Sequence, residues 1–244
     1  MSDQTSSLSA AAAHAAAETS SHSPLLNKLR AAVLGANDGI ISTAGMVMGV
    51  AGATTDSMAL LVAGIAAMSA GALSMAVGEY VSVSAQRDTE RALLTKERWE
   101  LENLPEEELA ELASLYEAKG LTPDLAREVA AQLTEHDALG AHAEAELGID
   151  PDELVSPWAA AWASMGAFTL GALIPLLAIV MSPPEVRVTA TVAAVVVALI
   201  LTGYISARVG GSRPLTAVVR VVSGGLVAMG VTYAIGSLVG MNLG

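Results

Sequence analysis

Two groups of side chains in this chain have the types and spacing to handle a cation. The first is carboxylate-rich. Glu97 and Glu100 stand three residues apart, as do Glu108 and Glu111, which puts each pair on one helix face about a turn apart. The two pairs converge if the chain folds back at residues 103–105. Carboxylates clustered in this way repel one another unless a cation neutralises them, and hard oxygen donors suit Mn2+, Mg2+, Ca2+ or Fe2+ better than copper. A plainer reading is a solvated acidic face, since Glu102, Glu106 and Glu107 spread the acidity beyond one side. Glu135, His136, Asp137, His142, Glu144 and Glu146 are also available, either to complete a site or to solubilise a helix. His136 and His142, six apart, do not share a face of a continuous helix.

The second group lies in apolar sequence. Asp38 sits in GANDGIISTAG, deep in a hydrophobic stretch, where an ionised carboxylate costs several kcal/mol unless it is paired, hydrated or protonated. Gly35, Gly39 and Gly45 let backbones or hydrated ions approach, and Asn37, Ser42 and Thr43 add oxygen donors. Ser42 and Met46 follow Asp38 at one-turn intervals. In the next hydrophobic stretch Met68, Met75 and Glu79 recur at spacings of seven and four, a single helical stripe. Most methionines in such helices simply pack. A thioether beside a carboxylate instead points to transition metals, because Mg2+ and Ca2+ do not favour sulfur.

The elements that must position these residues follow from hydropathy. Of the 244 residues 53% are hydrophobic, and mean hydropathy is +0.53. Five stretches, 29–53, 58–83, 157–181, 188–207 and 215–238, are long and apolar enough to span a bilayer. Buried helices of a soluble protein would carry polar stripes, and 188–207 has almost none. Helix-forming sequence continues without Gly or Pro from the second span to Asn103, predicting a helix that projects beyond the membrane. Pro105 opens a second helix ending before Gly120, and a third runs from about Thr122–Pro123 to near Gly148. The expected fold is an all-α integral membrane protein with five transmembrane helices and a three-helix cytoplasmic domain between helices 2 and 3. Its parts are a tail over 1–27, helices 1 and 2 over 28–84, an acidic metal-binding domain over 85–156, and helices 3 to 5 over 157–244.

Charge sets the orientation. Lys28, Arg30, Arg87, Arg91, Arg208, Arg213 and Arg220 flank one side of the spans and only Arg187 the other. The positive-inside rule therefore places the N-terminus and the acidic domain in the cytoplasm and the C-terminus outside. Residues 84–156 hold 19 acidic and 6 basic side chains, so this segment carries the whole net charge of −13. Such a surface gathers cations and repels nucleic acid. There is no cysteine, which removes thiolate metal sites and disulfides. No nucleotide-binding motif and no Glu-x-x-His of the membrane di-iron type occurs, so an enzyme is not expected.

GANDGIISTAGMVMGVAGA, followed by AGALSMAVGEYVSVSAQRD, closely resembles the first two helices of the vacuolar iron transporter family, which includes bacterial and nodulin-like members. AFTLGALIPL and LTGYISAR resemble its third and fourth helices, and the likeness covers residues 28–240. The resemblance implies a homodimer with an ion path at the dimer interface, exporting Fe2+ or Mn2+ from the cytoplasm by proton antiport. The setting it suggests here is a bacterial plasma membrane. Carried over by position, the family's path residues match Asp38, Met75 and Glu79, to which helical spacing adds Ser42 and Met46, and its metal-binding glutamates match Glu97, Glu100, Glu108 and Glu111. The family's third cytoplasmic helix supplies a Met and a Glu. Here the matching stretch reads AHAEAELGID, without Met, and Glu144 is the substitute chosen. No cofactor beyond the transported ion is implied. The competing reading is a membrane-anchored metal-binding or sensing protein, which would not need Asp38 and Glu79 at membrane depth.

Overall fold

A computed structural model describes residues 24–152 and 154–243. Residues 1–23, most of the tail expected over 1–27, lie outside the described residues, and residues 24–27 open the first helix. Those described form α1 (Pro24–Ala53), α2 (Ser57–Asn103), α3 (Pro105–Ala118), α4 (Pro123–His142), a π-helical turn (Ala143–Leu147), α5 (Pro157–Met181), α6 (Arg187–Val209) and α7 (Pro214–Leu243), with no strand among them.

Five of these helices are long and apolar enough to cross a membrane: α1, α2, α5, α6 and α7. Their outward faces carry Leu170, Met181, Val197, Leu201, Leu215 and Val227, all more than half exposed. An apolar exterior of this extent is the surface of a protein dissolved in lipid. At 47 residues, α2 is about 70 Å long, more than twice the roughly 30 Å hydrocarbon core. Its last part, from Arg87 to Asn103, is rich in charged side chains, whereas the part before it is apolar.

The chain divides into two compact units, residues 78–160 and the remainder. In the membrane unit α1 is the central helix. Ile40, Ala44 and Met48 recur every fourth residue and pack on Val195, Ala198 and Leu199 of α6 and Met229 of α7. Val47 meets Leu60 of α2 and Ile179 of α5. Lipid chains are as apolar as these side chains, so close backbone approach holds the helices together. A Cβ on Gly39 would overlap the Phe168 carbonyl of α5, and one on Gly236 of α7 would overlap the Gly49 carbonyl of α1. Only glycine permits either crossing.

Arg187, the basic residue that departs from the orientation pattern, is 5% exposed. Its guanidinium donates to the Thr55 carbonyl and the Ser57 hydroxyl, both at 3.1 Å. It fastens the start of α6 to the α1–α2 turn, so its charge is engaged within the protein.

The acidic unit contains the end of α2, then α3, α4 and the π turn. The α2–α3 reversal is made at Leu104: its amide donates to the Glu100 carbonyl, and its own carbonyl accepts from Glu107 and Glu108. Pro105 occupies the first helical position of α3, where its missing N–H costs nothing. Leu112 and Ala113 of α3 close on Ala130 of α4, with Leu109, Tyr116, Leu133, Ala141 and Ala145 around them.

Candidate metal centre and membrane stripe

The buried stripe of each helix in the acidic unit ends in a ligand. On α2, Leu94 is buried, and Glu97, three residues on, is 2% exposed. On α3, Leu112 carries Glu108, one turn earlier, into the interior at 5% exposure, and His142 at the end of α4 is fully enclosed. Because packing sets these three orientations, the ligands converge. Nδ1 of His142 lies 3.2 Å from Oε1 of Glu97 and 3.5 Å from Oε2 of Glu108. One ligand atom from each of the three residues lies within 4.8 Å of the other two.

Electrostatics mark the place as unfinished without a cation. Burial, then the negative charges of Glu146, Glu108 and Glu100, push the Glu97 carboxyl up to about 7. Burial and the neighbouring Glu111 and Glu100 raise Glu108 as well. Burial lowers His142, leaving a neutral imidazole. Oε1 of Glu97 and both ring nitrogens of His142 are buried without a hydrogen-bond partner, an arrangement costing a few kcal/mol that a shared ion removes. Two carboxylates and a neutral imidazole suit a borderline divalent transition metal. Ligands about 2.1 Å from one ion lie within about 4.3 Å of each other, so the observed spacing needs little adjustment.

The other acidic residues take graded positions. Glu100 is partly exposed and paired with Lys96 at 2.6 Å. Glu111 is exposed, but its charge reaches Glu108, His142 and Glu146. Glu144 is exposed and lies outside the convergent group. Glu146 stands near enough for its charge to act on Glu97, and desolvation, then Glu111, raises its carboxyl. The structure thus brings together Glu97, Glu108 and His142, with Glu100, Glu111 and Glu146 at the rim. Reading the residues in order did not single out His142 and Glu146. Their spacing of four, one face of a single turn, was the available signal.

The membrane unit presents a different arrangement. Asp38, Ser42 and Met46 form one exposed stripe along α1, Met46 at 50%, on the side away from the Ile40–Ala44–Met48 packing face. The Ser42 hydroxyl donates to the Asp38 carbonyl at 2.5 Å. No basic side chain among the described residues pairs with the Asp38 carboxylate. Neighbouring Asn37, in contrast, is satisfied by the Thr202 hydroxyl of α6. Met75 packs with Met68 and Met165 around Ala72 and Phe168, whereas Glu79, one turn later on α2 and partly exposed, already belongs to the 78–160 unit.

A profile of the VIT family matches residues 29–237. The chain belongs to the VIT family. One similar protein is a vacuolar iron transporter of Acanthamoeba castellanii, 46% identical over 86% of this chain and 78% of its own length. Another is vacuolar iron transporter homolog 2 of Arabidopsis thaliana, 35% identical over 87% of this chain and 85% of its own. VIT-like transporter 1b of Glycine max is 33% identical over 88% and 77%. This VIT-family chain thus shares both its membrane helices and most of its length with transporters.

Proposed function

We propose that this protein is a secondary transporter that exports Fe2+ or Mn2+ from the cytoplasm in exchange for protons. The observation that carries the reading is an enclosed Glu97–Glu108–His142 group in the same chain as an exposed Asp38–Ser42–Met46 stripe on a helix long and apolar enough to cross a membrane. Names of the similar proteins supply the cargo class. In this reading the acidic unit lies in the cytoplasm and collects the ion. Asp38, Ser42, Met46, Met75 and Glu79 then conduct it, each carboxylate exchanging metal for proton. An Asp38 turned outward from a single protomer is costly against lipid, which favours a homodimer whose two α1 stripes face one another. The proposed setting is a bacterial plasma membrane with the C-terminus outside.

Proteoliposomes holding a metal-sensitive dye and a pH probe test this. Fe2+ or Mn2+ should move from the side bearing the acidic unit, with protons moving the opposite way. Metal binding without flux under an imposed proton gradient would reject transport in favour of an anchored binding protein.

A further inference from the structure

The third helix of the acidic unit is not one continuous helix. Asp137 has φ −158° and ψ 92°, outside helical geometry, and its Oδ1 accepts a hydrogen bond from the Gly140 amide at 3.0 Å. A carboxylate bonded to the amide three residues ahead is the signature of a helix N-cap. Gly140 leaves it room, since a Cβ there would overlap the Asp137 carboxylate. A separate short helix therefore starts at Ala138. It carries His142, passes into the π turn Ala143–Leu147, and closes at Gly148 with φ 64°. The Ile149 amide returns to the Ala143 carbonyl at 2.9 Å.

The break decides which side chain enters the metal centre. The first part of α4 buries Ala126 and Ala130. On an unbroken helix at about 100° per residue, position 144 returns to within about 40° of Ala130, whereas position 142 lies about 120° away. An uninterrupted α4 would turn Glu144 inward and His142 aside. With the break, His142 is fully buried and Glu144 exposed. Ala141 and Ala145 pack on the Leu112–Ala130 cluster and hold the new rotation.

We propose that Asp137 is a positioning residue: its cap resets the helix so that the centre is completed by the imidazole of His142 instead of the carboxylate of Glu144. The proposal rests on reading Glu97, Glu108 and His142 as metal ligands. Its consequence is ion choice, because imidazole favours iron, cobalt and zinc, whereas an all-carboxylate set favours Mg2+ and Ca2+.

The test uses the full-length protein in detergent with one equivalent of Mn2+. Pulsed EPR reads whether imidazole nitrogen is bound to the ion. Wild type should show the nitrogen modulation and His142→Gln should lose it. Asp137→Ala, an exposed change that favours a continuous helix, should lose it too. It should also weaken Co2+ binding about tenfold or more while leaving Mg2+ binding unchanged. Asp137→Ser, which restores a capping oxygen, should recover both. If Asp137→Ala does not accumulate as folded protein, Gly140→Ala, which displaces the carboxylate, carries the same expectation and the same overturning result. Full nitrogen modulation in the capless variant, or its loss in Asp137→Ser, overturns the proposal. Bound Mn2+ without nitrogen in wild type also overturns it, yet leaves proposed transport standing if flux persists. Conversely, a nitrogen switch without flux defeats transport and leaves the positioning role intact.

Discussion

Both acidic groups in this VIT-family chain sit where bare carboxylates are unwelcome, but they are finished to different degrees. Glu97, Glu108 and His142 are drawn from three helices, enclosed by their own fold and mutually within 4.8 Å. Asp38, Ser42 and Met46 come from one helix and face outward. The enclosed group of the acidic unit could be completed by an ion alone. The membrane stripe needs a covering surface as well, since nothing within the described residues pairs with Asp38. In the proposed transporter, the site enclosed by one fold would hold its ion tightly, whereas a stripe shared across a dimer interface would keep open coordination positions for a passing ion.

The largest effect expected from breaking this contrast is at Asp38. Asp38→Asn keeps the size and much of the hydrogen-bonding capacity and removes the charge. Fe2+ and Mn2+ flux in proteoliposomes should fall to background, because a dehydrated ion loses its counter-charge and its proton exchange partner. Metal loading at Glu97 and Glu108 should persist, as the two groups belong to separate units. Near-normal flux through this variant would remove Asp38 from the path.

A second expectation concerns pH and belongs to the enclosed group alone. Glu97 titrates near 7 in the fold against about 4.3 in an unfolded chain. Between these values the folded, metal-free protein binds more protons than the unfolded one, so stability falls as pH rises through that window, by an amount on the order of 3 kcal/mol. The raised carboxyls of Glu108 and Glu146 act in the same sense. His142, held neutral by burial, acts oppositely and loses stability as pH falls below about 6.5. Three carboxyls thus act in one sense and one imidazole in the other. Metal-free protein should show larger amide protection factors, exchange corrected for its intrinsic pH dependence, around residues 94–112 at pH 5.5 than at pH 7.5. Saturating Mn2+ should reverse that order, since the ion displaces the protons. Protection factors that rise steadily with pH in the metal-free protein would contradict the buried, unpaired state of Glu97.

How much of this was legible in the residues varies with the physics that sets each feature. Spans were readable, because the bilayer imposes a length and Val188–Ala207 has no polar stripe to suggest anything else. The 47-residue α2 was readable too, since no Gly or Pro interrupts it after Gly78. Glu97 and Glu108 stood out by spacing, but which member of each Glu-x-x-Glu pair is enclosed depends on Leu94 and Leu112, a matter of packing across helices. Glu144 was chosen on the third helix by its place in the family resemblance, in a stretch that lacks the family's Met, and an uninterrupted helix would also have turned it inward. Asp137-x-x-Gly140 is a local capping pattern inside a helical run, and a break made by one hydrogen bond leaves no mark in hydrophobic periodicity. The outward direction of Asp38 was hidden as well, for it depends on which face α1 gives to α6 and α7.

The smallest expected effect sharpens what rim charges contribute to the enclosed group. Lys96 holds Glu100 at 2.6 Å, with the lysine side chain 64% exposed. The attraction raises its pKa, chiefly through that hydrogen bond, with Glu146 and Glu97 adding to it. In the metal-free protein Lys96 therefore serves as the nearest counter-charge and competes with an incoming ion for the same carboxylates. Lys96→Gln should free Glu100 and increase local negative potential, tightening Mn2+ binding by about twofold to fivefold at low ionic strength. Solvent screens an exposed pair, so the gain should fade toward 0.5 M salt, where the Debye length drops below about 5 Å. Calorimetry at two salt concentrations measures both effects together. Weaker binding in Lys96→Gln at low salt would mean that Lys96 positions Glu100 for the ion instead of competing with it, placing the lysine among the supports of the centre.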